Sequence, residues 1–160
     1  MKTSRQHTVY PICLLLEDQP CLVVGGGRVA ARKVAGLLMA KAEVTVISPE
    51  FSDAFSIIKP GRKLNLVTRR FQADDMTRFK LVFAATDDSQ VNQEIIHLCR
   101  QQHVLCCAAD ANWEDGDFVT PSIYRSAAAT IAVSTGGQSC TNAIKIRDML
   151  ARTLQESEFA

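Results

Sequence analysis

The sequence predicts an α/β fold, a doubly wound parallel sheet followed by a small α+β segment. Three observations carry this reading. The continuous apolar run Leu22-Val23-Val24 leads into a glycine turn and then a helical pattern, as a central strand covered on both faces would. Apolar runs and helical periods then alternate as far as Asp110, the order expected of crossover connections between parallel strands. Beyond Asp110 the alternation stops, and two closely spaced apolar runs precede one long helical pattern.

Composition bounds the function. The chain has 160 residues, enough for one domain or one domain with a short extension. Apolar residues make up 47% of it and the formal charge is +1, a balance that argues against nucleic-acid or polybasic membrane partners. No apolar run approaches the ~20 residues of a membrane-spanning helix. The polar stretch Met1 to His7 is not followed by a signal-peptide core, so a cytoplasmic location is expected. Cys13, Cys21, Cys99, Cys106, Cys107 and Cys140 lack C-x-x-C spacing, and most lie in apolar runs. They are read as buried free thiols, with no metal site. In a strand, Cys106 and Cys107 would face opposite ways.

In chain order, Tyr10 to Leu16 reads as a first strand, and Glu17 to Pro20 as a hairpin-like turn into the glycine strand. Gly25, Gly27 and Ala30 satisfy G-x-G-x-x-G/A. The first glycine permits the tight turn, the second lets a pyrophosphate approach the backbone, and the small third residue lets helix and strand pack closely. Gly25, Gly26, Gly27, Arg28 and Val29 are therefore candidate cofactor contacts, with the N–H groups opening the helix favouring an anion. Val29, Lys33, Val34, Leu37 and Leu38 supply the helical period.

Glu43 to Ser48 is the next strand. At its end, where an acidic side chain would bind the adenosine ribose, stand Ser48, Pro49 and Glu50. Glu50 is placed to reach the ribose hydroxyls, and no arginine follows immediately to favour a 2′-phosphate, so NAD is expected over NADP. A helix over Ser52 to Ile58, a turn at Pro60-Gly61, a strand over Leu64 to Thr68 and a short helical connection over Phe71 to Phe79 come next. The buried strand from Leu81 ends in Thr86-Asp87-Asp88, placing Thr86 and Asp87 beside the cofactor. Asp88 or Ser89 caps a helix through Val91, Ile95, Ile96 and Leu98. Val104 to Ala108 is a fifth strand, ending at Asp110.

In such a Rossmann-like sheet, ligands bind at the carboxyl ends of the strands. The segments at Gly25, Ser48 and Thr86 would surround the dinucleotide, and Asp110 would face whatever lies beside the nicotinamide. Residues 1–112 are taken as the NAD-binding domain and 113–160 as a second segment. In the latter, Phe118 to Tyr124 and Thr130 to Thr135 read as antiparallel strands. Gly136-Gly137-Gln138-Ser139 then leads into a helix containing Ile144, Ile146, Met149, Leu150 and Leu154, capped by Ser139 or Thr141. This second glycine turn reads equally as an ordinary turn or as an anion site.

Taken together, Val24 to Lys33, Ala84 to Asp88 with Val91-Asn92, Ala109-Asp110, Phe118 to Ser122 and Ala132 to Gly137 resemble, in order and spacing, the precorrin-2 dehydrogenases. These form the amino-terminal module of siroheme synthases, and some are also sirohydrochlorin ferrochelatases. The resemblance spans about Pro11 to Leu154. It implies an NAD-dependent oxidation of the tetrapyrrole precorrin-2 to sirohydrochlorin, with Asp110 matching the family's functional aspartate and receiving a proton. It leaves iron insertion open, with Fe²⁺ as a substrate.

The resemblance further implies that Thr135, Gly136, Gly137 and Ser139 receive substrate carboxylates, with Arg125, Lys145 or Arg147 as further candidates. It also implies that Phe118 to Leu154 builds a homodimer. Cys107 stands where the family usually has Asn, and Cys140 where Pro is common. Family members continue into a small helical domain, whereas this sequence stops at Ala160, as a trimmed or a minimal version would. The reading from a different class is a non-catalytic NAD-binding regulatory domain, which would leave Asp110 and Thr135 to Ser139 without a role.

Overall fold

The computed structural model describes residues 8–59, 61–110 and 112–156. They group into two compact units, Cys13–Phe118 and the chain from Val119 onward together with the described residues up to Ile12.

The first unit is a five-stranded sheet built from β1 (Pro20–Val24), β2 (Glu43–Ser48), β3 (Leu64–Thr68), β4 (Leu81–Ala84) and β5 (Leu105–Ala108), in the order β3-β2-β1-β4-β5. Every neighbouring pair is parallel, with Val24 level with Ile47 on one side and Ala84 on the other. Helix α1 (Arg28–Met39) follows β1, and α2 (Ser89–Gln102) follows β4. The chain winds outward through β2 and β3, then returns to the far side of β1. This puts the topological switch, where such sheets bind ligands, between β1 and β4.

Strand alternation explains the two-sided core. Cys21 and Val23 of β1, Val44 and Val46 of β2, Phe83 of β4 and Cys107 of β5 cluster with Ala30, Ala31, Val34 and Leu37 of α1. Leu22, Val24, Ile47, Val82, Ala84, Cys106 and Ala108 cluster with Ile95, Ile96 and Cys99 of α2. Each fully buried Val, Leu or Ile contributes roughly 1.5–3 kcal/mol, so the alternation also pins the register. Cys106 and Cys107 do face opposite ways. Phe118 closes the α1-side layer edge-on against Phe83, with ring centroids 5.6 Å apart.

Three expected elements differ. Tyr10 to Leu16 forms no strand, and Tyr10 and Leu15 are almost fully exposed while only Leu16 is buried. The turn after it, closed by the Gln19 N–H bond to Leu16 O (3.0 Å), therefore joins no hairpin. Ser52 to Ile58 is helical only as a single 3-10 turn over Asp53–Phe55, in which Phe55 is buried and Ala54 packs against the same core. The connection from Phe71 to Phe79 likewise holds a single turn at Ala73–Asp75, where Asp75 reaches back to cap Gln72 N–H.

In the second unit, β6 (Ser122–Arg125) and β7 (Thr130–Val133) pair antiparallel, Ser122 opposite Val133 and Arg125 opposite Thr130. The turn between them is closed by Ser126 N–H to Ala129 O (2.9 Å). The strand expected over Phe118 to Tyr124 thus begins only at Ser122. Helix α3 (Cys140–Gln155) packs on both strands and buries Ala143 and Ala151, two small residues that let it lie close. Ser139, not Thr141, caps it, accepting from Asn142 N–H (3.2 Å).

Candidate active site

The carboxyl ends of β1, β2, β4 and β5 are tied to one another by backbone bonds that continue the sheet past its strands. Gly25 N–H donates to Ile47 O (2.9 Å), Ala85 N–H to Val24 O (2.8 Å) and Ala109 N–H to Ala84 O (2.9 Å). The loops carrying the candidate residues therefore leave a common rigid edge.

The glycine turn is shaped from two sides. Gly25 has φ +127°, and a β-carbon on it would lie 2.2 Å from Ala85 O. Gly26 is buried against Glu50 O, and its own carbonyl accepts from Ser52 N–H (2.8 Å). Gly27, by contrast, has open space around it, and caps α1 through its backbone alone. The first turn of α1 carries no side-chain cap and no acidic residue. Exposed Arg28 and Val29 open that helix, so the helix dipole and its first N–H groups are presented to an anion. These residues fit the pyrophosphate of a dinucleotide.

At the end of β2, the buried Ser48 donates its hydroxyl proton to Glu50 O (2.6 Å), which bends Pro49-Glu50 over Gly26. Pro49 and the Glu50 side chain are exposed. At the end of β4, Asp88 caps α2, accepting from Gln90 N–H (2.9 Å) and Val91 N–H (3.3 Å). Asp87 is exposed and lines a shallow open cleft with Asp88, Ser89 and Gln90.

Asp110 is half-buried just beyond β5. Its Oδ2 accepts from Asn92 Nδ2 (2.8 Å) and its Oδ1 from Asn112 N–H (2.8 Å). Each oxygen keeps a further lone pair, so the carboxylate can still take a proton. Asn92 is wholly buried on α2. Besides Asp110, its Nδ2 donates to Thr86 O (3.0 Å), and its Oδ1 accepts from Thr86 N–H (3.2 Å) and lies 2.7 Å from Thr86 Oγ1. Sequence reading named Asn92 only within the segments that carry the resemblance and gave it no role. The available signal was its position: Asn92, Ile95, Ile96 and Cys99 share one helical face, and a polar residue on an apolar period is a buried polar group that needs partners.

In the second unit, Thr135 Oγ1 accepts from Ser139 N–H (3.0 Å) and donates to Ser139 O (3.1 Å), and Gly136 N–H donates to Ser134 Oγ (3.2 Å). Gly136 and Gly137 both take positive φ, 59° and 82°. The hydroxyls of Thr135 and Ser139 thus close the turn and cap α3. Arg147 pairs with its neighbour Asp148, and Arg125 and Lys145 are exposed. Among the described residues, no group of three or more His, Cys, Asp or Glu is arranged to hold a metal, and no helix is long and apolar enough to cross a membrane.

A parallel sheet with a glycine turn at its switch point, a helix start beside it that no side chain caps and a carboxylate at the end of the outer strand defines a dinucleotide-binding α/β domain. The family model NAD_binding_7, described as "Putative NAD(P)-binding", matches residues 12–122. The chain belongs to this family, and NAD is the cofactor its membership supports.

Among curated proteins, the chain is 41% identical over 128 residues to the siroheme synthase of Pseudoalteromonas atlantica, covering 80% of this chain and 28% of that protein. It is 39% identical over 147 residues to the siroheme synthase of Nitrosococcus oceani, covering 92% and 31%. The chain thus spans about a third or less of the curated relatives it matches. Among solved structures, it superposes on SirC, a precorrin-2 dehydrogenase, with a TM-score of 0.77 and 26% identity, over 91% of this chain and 71% of that one.

Proposed function

We propose that the chain is an NAD-dependent dehydrogenase that oxidises precorrin-2 to sirohydrochlorin in siroheme biosynthesis. The observation that carries this reading is the Asp110 carboxylate, held at the end of β5 on the same sheet edge as the glycine turn and Thr86. The names of the relatives, siroheme synthase and precorrin-2 dehydrogenase, supply the substrate.

Gly25, Gly26, Gly27, Arg28 and Val29 would hold the pyrophosphate, Ser48, Pro49 and Glu50 the adenosine ribose, and Thr86 and Asp87 the nicotinamide half. When bound, NAD⁺ supplies the acceptor for a hydride. Asp110 takes the accompanying proton, so the macrocycle loses two hydrogens and two electrons in all. Preorganisation matters here, because both oxygens of Asp110 are already oriented by protein donors before substrate arrives. In the second unit, the turn from Thr135 to Ser139, through Thr135, Gly136, Gly137 and Ser139, is proposed to receive substrate carboxylates, its backbone serving where its hydroxyls are engaged.

The same reading takes the protein as a cytoplasmic homodimer. Ile144, Ile146, Met149 and Leu150 leave an apolar surface on α3 that a second copy would cover, and gel filtration at micromolar concentration should give the dimer mass. A monomer there overturns that part.

The decisive test is anaerobic incubation of the protein with precorrin-2 and NAD⁺, without iron, followed by absorbance. NAD⁺-dependent formation of sirohydrochlorin is expected, with turnover lowered about 10²- to 10⁴-fold but still measurable in Asp110→Asn and NAD⁺ binding retained. Fe²⁺ added after conversion reads ferrochelatase activity separately, with Asp110 as the group to assist loss of pyrrole protons. NAD⁺ binding without conversion overturns the proposal in favour of a regulatory NAD-binding domain.

A further inference from the structure

We propose that Asn92 is the positioning residue for Asp110, its amide fixing the direction in which the carboxylate presents its proton-accepting lone pair. The inference rests on the reading of Asp110 as proton acceptor.

The orientation of the Asn92 amide is determined by its surroundings. Thr86 N–H can only donate, so the Asn92 atom 3.2 Å from it must be Oδ1, and Nδ2 is thereby aimed at Thr86 O and Asp110 Oδ2. Both amide donors are then used and Oδ1 is held by Thr86 N–H, with the single hydroxyl proton of Thr86 shared between Oδ1 (2.7 Å) and Asp88 O (2.9 Å), inside a site with no solvent access to the residue. Rotation of the amide would set N–H against N–H at Thr86 and oxygen against oxygen at Asp110. One side chain therefore locks the loop after β4 to the loop after β5.

A merely structural role in the turn that opens α2 would need only the Thr86 contacts. The bond to Asp110 is additional, and it is charge-assisted, the stronger class of hydrogen bond. The rest of α2 supports the same arrangement. Gln93 Nε2 donates to Asp115 Oδ2 (2.7 Å) and Arg100 Nη2 to Asp115 O (2.6 Å), so the segment that returns from Asp110 is anchored to this helix at two more places. Asn112 N–H, on that segment, holds the other oxygen of Asp110. The carboxylate is thus fixed at both oxygens from a single platform.

Two measurements test this. In ¹⁵N-labelled protein, the Asn92 side-chain amide should exchange slowly with solvent, and in Asp110→Ala one of its two protons should shift and exchange faster while the Thr86 backbone N–H stays in place. Unchanged Asn92 amide signals in Asp110→Ala overturn the contact whatever the activity of the protein. In kinetics, Asn92→Ala should lower kcat on the order of 10²-fold with KM for NAD⁺ unchanged. The double variant Asn92→Ala/Asp110→Asn should turn over no more slowly than Asp110→Asn alone. A further drop of the same size in the double variant, with a raised KM for NAD⁺, assigns Asn92 a structural role only and overturns the proposal. Full turnover in Asp110→Asn instead removes the reading of Asp110 itself, and with it the catalytic half of this inference, while the amide signals still decide the contact.

Discussion

The carbonyl oxygen of Glu50 lies directly against the α-carbon of Gly26: a β-carbon there would sit 1.8 Å from that oxygen and 2.6 Å from Ser48 Oγ. The loop after β2 is therefore the mould in which the glycine turn after β1 is cast. Ser48 holds the carbonyl in place, and Ser52 N–H ties down the carbonyl of Gly26 in return. Its neighbour Gly27 has φ −81° and nothing within 4 Å of a β-carbon, so its surroundings leave space for a ligand and ask nothing of the fold.

Alanine at these adjacent glycines should separate folding from binding. Gly26→Ala forces backbone apart in a packed loop and should cost about 1–3 kcal/mol in urea unfolding, the range of overpacked cores. Gly27→Ala should change stability by less than about 1 kcal/mol, the freedom lost by the unfolded chain at a compatible backbone conformation offsetting the poorer N-cap that alanine makes. Its methyl group would nevertheless crowd the anion site, and NAD⁺ affinity by calorimetry should fall about tenfold, or ~1.4 kcal/mol. Equal loss of stability in both variants would contradict the distinction.

The same turn shows what a sequence discloses. Leu22 to Gly27 could be read because a two-sided strand and a glycine turn leave local signatures, and the strands through Val46, Val82 and Cys106 followed from burial on both faces. Tyr10 to Leu16 carries an equally apolar run, yet Leu15 is exposed in this unit, because a run of apolar residues does not name the partner that covers it. Asp110 was legible through resemblance. The role of Asn92 was not, though the residue stands in the same resemblance, since the value of a buried amide lies in which loops it joins, and Thr86 and Asp110 come to it only through the tertiary fold.

Asp75 gives the protein an acid-sensitive contact. The bidentate hydrogen bond from Arg69, with Nη1 at 2.7 Å from Oδ2, holds the Asp75 carboxyl below its ordinary value of 3.8, and Gln72 N–H adds to it. The folded protein thus binds this proton less tightly than the unfolded chain, so the stabilisation is complete above the unfolded value and lost as pH falls through the folded one. Asp75→Asn should cost about 0.5–1 kcal/mol at pH 7, given the partial exposure of the pair. As pH falls below 3.8 and through the folded value of Asp75, the two unfolding curves should converge. Parallel curves at every pH would remove the contribution of the ion pair.

Cysteine reactivity should divide by burial. Cys13 and Cys140 are exposed, whereas Cys21, Cys99, Cys106 and Cys107 are buried. Burial pushes the Cys21 thiol up to about 11, and Cys106 is raised further still, first by its hydrogen bond with Cys99 and then by burial. Only the thiolate reacts. At pH 8 a thiol reagent should modify Cys13 and Cys140 rapidly, and the other four only on unfolding, read by mass spectrometry of the labelled peptides. Rapid labelling of Cys106 in the folded protein would show that the α2-side core opens.

Asp117 protects an edge of the sheet. β5 is the outer strand beside β4, and its free side would present unpaired backbone groups to any passing strand. Asp117 meets them twice: its Oδ2 accepts from Cys106 N–H (2.9 Å), and its own N–H donates to Cys106 O (2.7 Å). The preceding Gly116 makes this approach possible, since a β-carbon on it would lie 2.9 Å from Ala108 N and 3.0 Å from Cys106 O. Asp117→Ala leaves the Cys106 N–H without its acceptor beside a buried side chain, at about 1–3 kcal/mol in thermal or urea unfolding. Asp117→Asn retains an acceptor oxygen and should recover most of that loss. Light scattering on warming should rise earlier in Asp117→Ala than in Asp117→Asn, because the uncovered edge is the template for association. If the two variants unfold and scatter alike, the acceptor oxygen of the side chain does not cover the edge, and the backbone bond from Asp117 N–H to Cys106 O is what remains to do so.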